Sequence, residues 1–205
     1  MALSQQDKEY WLKLEGEIIS TLVDLADFGF VIDDKRKENK DNPDPRCLIR
    51  PEVADALNKA RSVLPAEYNF KLFDGWRPWV LQEKVALTFK GKIRQAHPGW
   101  TLEQVDKHLW KMAPAQRIVP RRNAHRYGGA VDISIVGPDK AELNMGVRVH
   151  YVEGPESELL FYELKERLTA EELLFRKNRR LLIYAMDKGG FDPYLPEFWH
   201  WGYRE

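Results

Sequence analysis

Two segments far apart in the chain carry side chains that can do chemistry together: His125-Arg126-Tyr127-Gly128-Gly129-Ala130-Val131-Asp132 and Glu197-Phe198-Trp199-His200. Between them they supply two imidazoles, two carboxylates and a glycine-permitted turn, a set able to hold one zinc ion and put it to use. A catalytic zinc typically takes three His or carboxylate ligands and leaves the fourth position to water, whose pKa falls to about 7 on the metal. His125, Asp132 and His200 are the expected ligands. Glu197 is then the uncoordinated base that takes the proton from that water as it attacks a carbonyl. The chemistry is that of a metallohydrolase.

The spacing supports this assignment. From Ala130 onward Val131, Ile133 and Ile135 are apolar, whereas Asp132 and Ser134 take the other face, the period of a half-buried strand. Gly128 and Gly129 let the backbone turn just before that strand, so His125 folds back toward the side of Asp132. At the other end Pro193 and Pro196 exclude a helix interior, and Phe198-Trp199-His200-Trp201 reads as a short buried strand. Strict alternation would put Glu197 and His200 on opposite faces, so both face the metal only if the backbone turns at Pro196 or Glu197.

At these residues the chain resembles a known family. His-x-x-Gly-x-Ala-x-Asp followed late in the chain by Glu-x-x-His is similar to the signature of the zinc D-Ala-D-Ala dipeptidases and carboxypeptidases, peptidase family M15, which includes the vancomycin-resistance dipeptidase. A third segment, Phe73-Asp74-Gly75-Trp76-Arg77-Pro78, resembles the dipeptidase branch's Asp-Gly-Tyr-Arg-Pro element with Trp76 in place of tyrosine. The resemblance runs across nearly the whole chain in order and spacing. It implies one zinc ion, a small D-amino-acid peptide as substrate, and Arg77 as the group that stabilises the oxyanion of the tetrahedral intermediate. It also implies one domain over 1–205, an antiparallel sheet flanked by helices, a fold similar to that of the hedgehog signalling domain.

Two departures bear on the substrate. The family pattern begins with serine two residues before the first histidine, and here that residue is Asn123. In the dipeptidase an aspartate after a Met-Gly pair helps hold the substrate's ammonium group, and the matching residue after Met145-Gly146 is His150. An imidazole is a poor anchor for an ammonium ion. Asn123 and His150 are therefore the expected substrate-binding positions at which this chain differs, with Glu142 or Glu153 as a relocated amine anchor or a different D-amino-acid peptide as substrate. The chemistry carries over more firmly than the substrate does.

Length and composition agree with one soluble domain. The 205 residues are enough for one sizeable core, and 32 Lys plus Arg balance 32 Asp plus Glu, so no net field favours nucleic acid or an anionic membrane. No apolar run is long enough to span a bilayer, and Met1 to Tyr10 is polar and unlike a secretory signal. The single cysteine, Cys47, suits a reducing compartment, so a cytoplasmic location is expected. Oligomeric state has no signature in the sequence.

The remaining elements read as an α+β frame. Leu12, Ile18, Ile19, Leu22 and Leu25 predict one long amphipathic helix from Ser4 to about Phe28. Asp33 to Arg46 reads as a charged loop, Pro51 to Val63 as a helix begun by proline, and Tyr68, Phe70 and Leu72 as a strand delivering Arg77. Helical patterns follow from Trp79 to Arg94. Thr101 with Gln104 and Thr169 with Glu172 are capping boxes opening two more helices, the second ending at Gly189-Gly190.

Taken singly, each site residue has a simpler reading. Arg77 could be a salt-bridged arginine near a turn, Asp74 an Asx-turn residue, Trp199 and Trp201 core, and His97 and His108 surface residues. Arg121, Arg122 and Arg126 form a basic patch that reads as a solvated face or as a carboxylate attractor. Joint occurrence of the three segments favours the zinc site. Two other functions stay open: a D,D- or L,D-carboxypeptidase acting on murein peptides, and a non-catalytic zinc module of the same fold.

Overall fold

Alternation of apolar and polar residues in two segments builds the centre of a sheet, and short strands from both ends of the chain complete it. The computed structural model describes residues 13, 15–38, 44–112, 124–151 and 154–204. The strands are β1 (Val23–Asp24), β2 (Val31–Ile32), β3 (Leu48–Ile49), β4 (Asn69–Asp74), β5 (Ala130–Val136), β6 (Phe191–Pro193) and β7 (His200–Tyr203). The helices are α1 (Lys35–Glu38), α2 (Pro51–Arg61), α3 (Trp79–Ala96), α4 (Leu102–Met112), α5 (Phe161–Leu164) and α6 (Ala170–Gly189).

The main sheet has the order β2-β4-β5-β7-β6, and β1 pairs with β3 in a separate ribbon. The expected α+β class holds. The sheet is antiparallel from β4 to β6, while its edge strand β2 runs parallel to β4. In β4, Phe70, Leu72 and Asp74 are buried and alternate with partly exposed residues. Strand β5 is buried along its whole length, as a central strand covered on both faces must be. Val131, Ile133 and Ile135 meet Leu57, Leu182 and Met186 in the core. No helix among the described residues is long and apolar enough to cross a membrane.

The capping chemistry appears as expected. Thr169 and Glu172 exchange side-chain and backbone hydrogen bonds at the start of α6, and Gly190 closes that helix in the left-handed conformation. Thr101 and Gln104 do the same before α4, with bonds of 2.8 and 3.2 Å. Helices α3 and α4 pack through a small cluster of their own, Ile93, Val105 and Leu109 with Phe89.

The long N-terminal helix is a correction. Backbone at 15–19 is helical, but Val23–Asp24 then forms β1 and Leu25–Phe28 a 3-10 turn. Asp24 caps that turn by accepting from the Ala26 amide, and Val23 pairs with Ile49. Tertiary pairing thus overrides an apolar spacing that a helix would also satisfy. Residues 1–12 lie outside the described residues. The charged loop also contains the single turn of α1.

Helix α2 crosses α6 at short range. A Cβ on Gly189 would stand 2.7 Å from Ala60 Cβ and 2.8 Å from the Ala56 carbonyl oxygen, and backbone cannot yield as a flexible side chain does. Gly189→Ala should therefore destabilise by about 1–3 kcal/mol, despite alanine's higher helix propensity. The check is a lower urea midpoint at unchanged m. An unchanged midpoint would show that the two helices can separate without loss.

Candidate metal centre

His125 opens a single 3-10 turn, His125–Tyr127, closed by Gly128 in the left-handed conformation at φ 61°. A Cβ there would lie 2.8 Å from Leu22 Cδ2, so both the dihedral and the space call for glycine. The Gly128 and Gly129 amides donate to the carbonyls of His125 (3.0 Å) and Ala124 (3.1 Å), which reverses the chain and returns His125 over the start of β5.

Asp132 lies on β5, and His200 is its cross-strand partner on β7. On the opposite side, a register shift after Leu72 sets Asp74 of β4 against Asp132. Asp74, Asp132 and His200 thus form one row across three strands. The expected strand at 198–201 begins later than predicted, because Phe198 and Trp199 belong to a turn and β7 starts at His200. In that turn the His200 amide donates to the Glu197 carbonyl (3.1 Å) and the Glu197 amide to that of Tyr194 (3.0 Å). This is the turn that lets Glu197 and His200 serve one site. The Glu197 carboxylate feels the charges of His200, Asp132, Arg77 and His150, and burial raises its pKa above the ordinary carboxylate value.

The three expected ligands converge. His125 Nε2 lies 3.2 Å from Asp132 Oδ1 and 3.0 Å from His200 Nδ1, and His200 Nδ1 lies 3.1 Å from Asp132 Oδ1. A tetrahedral ion with bonds of about 2.0–2.1 Å needs ligand atoms about 3.3 Å apart, so the triangle has the right size for one small dication. The donor chemistry agrees. His125 Nδ1 is 2.7 Å from the Gly75 carbonyl oxygen, which can only accept, so Nδ1 carries a proton and, in the tautomer that binds a metal, the lone pair of Nε2 points inward. That lone pair faces a carboxylate oxygen and a second imidazole nitrogen, an arrangement that a cation relieves.

The second oxygen of Asp132 is also engaged. It accepts from Arg77 Nη2 (3.2 Å) and sits 3.0 Å from His150 Nε2. Burial works to raise the Asp132 pKa, but the surrounding imidazoles, His125 first and then His150 and His200, outweigh it and hold the carboxyl well below the usual range. Arg77 in turn gives Nε to Asp74 Oδ2 (2.7 Å) and Nη1 to Gln82 Oε1 (3.0 Å). The far oxygen of Asp74 is bonded by Arg36, whose Nη2 also reaches the carbonyls of Arg46 (3.0 Å) and Trp76 (3.3 Å). Burial opposes ionisation of Asp74, yet Arg77 and Arg36 beside it keep its pKa lowered.

Sequence reasoning missed Arg36, Gln82 and the Gly75 carbonyl. A signal existed for Asp74, three residues before Arg77 and bonded to it here, but none for Arg36, which arrives from 38 residues upstream. The His150 side chain is 52% exposed, and its Nε2 lies 3.0 Å from Asp132 Oδ2. Glu142 is paired with Lys71 and bridges Val136 near the far end of β5 from Asp132. Asn123, Glu153, Arg121 and Arg122 lie outside the described residues. Arg126 is buried, so it does not belong to a solvated basic face. Trp199 and Trp201 are core residues, with the Trp199 ring centroid 6.1 Å from that of His150 in an edge-to-face arrangement. His97 stacks on Trp100 at 3.8 Å with His108 edge-on, and neither joins the ligand set.

The Arg36–Asp74–Arg77 array generates a stability prediction. Asp74→Asn leaves two guanidiniums facing each other without the intervening charge, and breaking a buried pair costs about 3–5 kcal/mol. The folded carboxyl titrates below the unfolded value of about 3.9, so its contribution is present above that pH and lost as pH falls through the folded pKa. Urea titrations of metal-free protein at pH 7 and along an acid series should show a lower midpoint and a shallower acid decline in the variant. An unchanged midpoint at pH 7 would remove the array from the stability of the fold.

A family model described as D-Ala-D-Ala dipeptidase matches residues 30–205. A D-alanyl-D-alanine dipeptidase of Enterococcus faecium is 25% identical over 157 residues, covering 75% of this chain and 72% of that protein. The matched span contains the whole row from Asp74 to His200 together with the turns that carry His125 and Glu197. With that match over most of its length, the chain belongs to peptidase family M15, the D-Ala-D-Ala dipeptidases.

Proposed function

We propose that the protein hydrolyses D-Ala-D-Ala-type dipeptides with one zinc ion held by His125, Asp132 and His200. The observation that carries the reading is the 3.0–3.2 Å triangle of two imidazole nitrogens and one carboxylate oxygen with the Glu197 carboxylate beside it. When bound, the ion supplies Lewis-acid polarisation of the scissile carbonyl and a nucleophile competent at neutral pH.

The chain's own groups supply the rest. Glu197 takes a proton from the attacking water; hydroxyl oxygen adds to the carbonyl carbon, the carbon–nitrogen bond breaks, and the same proton passes to the leaving amine. A raised pKa suits a group that must both accept and return a proton. Arg77 donates to the developing oxyanion. Its Nε, Nη1 and Nη2 are engaged by Asp74, Gln82 and Asp132, with Nη2 also 2.7 Å from Asp74 Oδ2, so the guanidinium is held in place before the oxyanion develops. His150 is half-exposed beside Asp132 and Asn123 precedes the His125 turn, so both are proposed to contact the peptide.

Glu197→Ala should retain zinc and lower kcat by about 10² to 10⁴, whereas His200→Ala should lose the metal itself. Metal content by atomic absorption and turnover of D-Ala-D-Ala separate the two. A Glu197→Ala enzyme keeping most of its activity would identify another base, and zinc-loaded wild type inactive on every D-containing peptide would support the non-catalytic module.

Arg77→Lys keeps the charge but not the fork, and lysine cannot reach Asp74, Gln82 and Asp132 at once. Turnover should fall by about 10²-fold or more. Zinc affinity should fall by about 10-fold through the loosened Asp132. Near-wild-type turnover in this variant would take Arg77 out of the mechanism.

A further inference from the structure

Arg179 is 1% exposed on the inner face of α6, yet among the described residues its hydrogen bonds go to no carboxylate. Its Nε donates to the Met145 carbonyl (2.9 Å), Nη1 to Glu158 (2.6 Å) and Nη2 to Glu156 (2.6 Å). The guanidinium carbon lies 4.7 Å from the Tyr162 ring centroid and 4.6 Å from that of Phe198. Burial pulls its pKa down to about 10, which leaves it protonated at neutral pH. A buried cation bonded only to backbone is costly, so what it holds is informative.

The three carbonyls stand at the two ends of one segment, 145–158. Near its middle His150 adopts φ 65°, a left-handed conformation that a non-glycine residue keeps only when its surroundings hold it. From there its Nε2 reaches Asp132 Oδ2 at 3.0 Å. The segment's far end is joined to the turn before β7, because the Phe198 amide donates to the Ser157 carbonyl at 2.9 Å. One guanidinium therefore contacts two of the pieces of irregular chain that flank the metal centre.

We infer that Arg179 is a positioning residue, a clamp that ties Met145 to Glu156 and Glu158, seats His150 on Asp132 and steadies the Glu197–His200 turn through Phe198. Only the kinetic consequence rests on the hydrolytic reading above; the clamp itself does not. The fork matters and not the charge, since three carbonyls in three directions need the guanidinium geometry.

The test compares Arg179→Met, Arg179→Lys, His150→Ala and the double variant Arg179→Met/His150→Ala in the full chain. Amide exchange at 145–151 should quicken at least about 10-fold in both Arg179 variants, while β5 stays protected. Zinc affinity, by chelator competition, should fall about 10- to 100-fold in Arg179→Met and in His150→Ala, with the double variant no weaker than the weaker single one. The loss of kcat/KM should follow the same non-additive pattern. If Arg179→Met does not fold, Arg179→Lys carries the same comparison with His150→Ala. Exchange at 145–151 within twofold of wild type, or losses in zinc affinity that multiply, would overturn the clamp. A wild type without dipeptidase activity would refute the hydrolytic reading, and the exchange and zinc measurements would still decide the role of Arg179.

Discussion

The centre of this protein depends on two buried carboxylates that face each other across a pair of antiparallel strands. Asp74 and Asp132 are cross-strand partners, and like charges in that relation repel. Arg77 resolves the conflict by bonding both, and Arg36 bonds the outer oxygen of Asp74. Two cations and two anions thus alternate from the sheet edge inward, ending at the one oxygen, Asp132 Oδ1, that faces the imidazoles. The same guanidinium that the proposed mechanism needs for an oxyanion also fixes the carboxylate proposed to bind the metal. Metal geometry and oxyanion geometry therefore cannot vary independently.

The regular strands fix only part of this arrangement. Asp74, Asp132 and His200 fall in one row because of pairing register, and a one-residue slip would turn Asp132 to the opposite face. His125, Glu197 and His150 come from irregular chain, each held by a bond that lies outside the sheet ladder. His125 leans on the Gly75 carbonyl, Glu197 sits in a turn closed by the Tyr194 and His200 backbone, and His150 rests on Asp132. Gly75 could not be larger, since a Cβ there would lie 2.5 Å from the Leu48 carbonyl oxygen. The carbonyl that orients one ligand therefore belongs to a glycine packed against the β1–β3 ribbon.

Much of this was legible in the sequence because it follows from period and turn chemistry. The alternation from Ala130 to Ile135 placed Asp132, the glycine pair returned His125, and the two capping boxes and the Gly189-Gly190 stop located their helices. The joint ligand set could be read because two histidines and an aspartate fall at positions that local geometry constrains, in segments whose joint order resembles the family pattern. The helix expected over 4–28 failed because two-residue strands have no period of their own, and β1 exists only through its pairing with β3. Alternation alone also left the relation of Glu197 to His200 undetermined, since a turn ending at the first residue of β7 leaves no compositional mark beyond Pro196.

Arg36 and Arg179 were invisible for a different reason. Each bonds backbone carbonyls, and every residue has one, so no partner type in the sequence announces the contact. Their physical role follows from the same fact. Carbonyls in irregular chain lack ladder partners, and burying them unsatisfied is unfavourable, so a guanidinium with several donors can close a loop that secondary structure cannot. Arg36 does this for the strand end that delivers Arg77, and Arg179 for the segment that delivers His150. The sheet supplies one wall of the site through register, and buried arginines shape the other by collecting loop carbonyls. Precision on the loop side thus comes from long-range polar contacts, which is where a distant substitution has its shortest path to the chemistry.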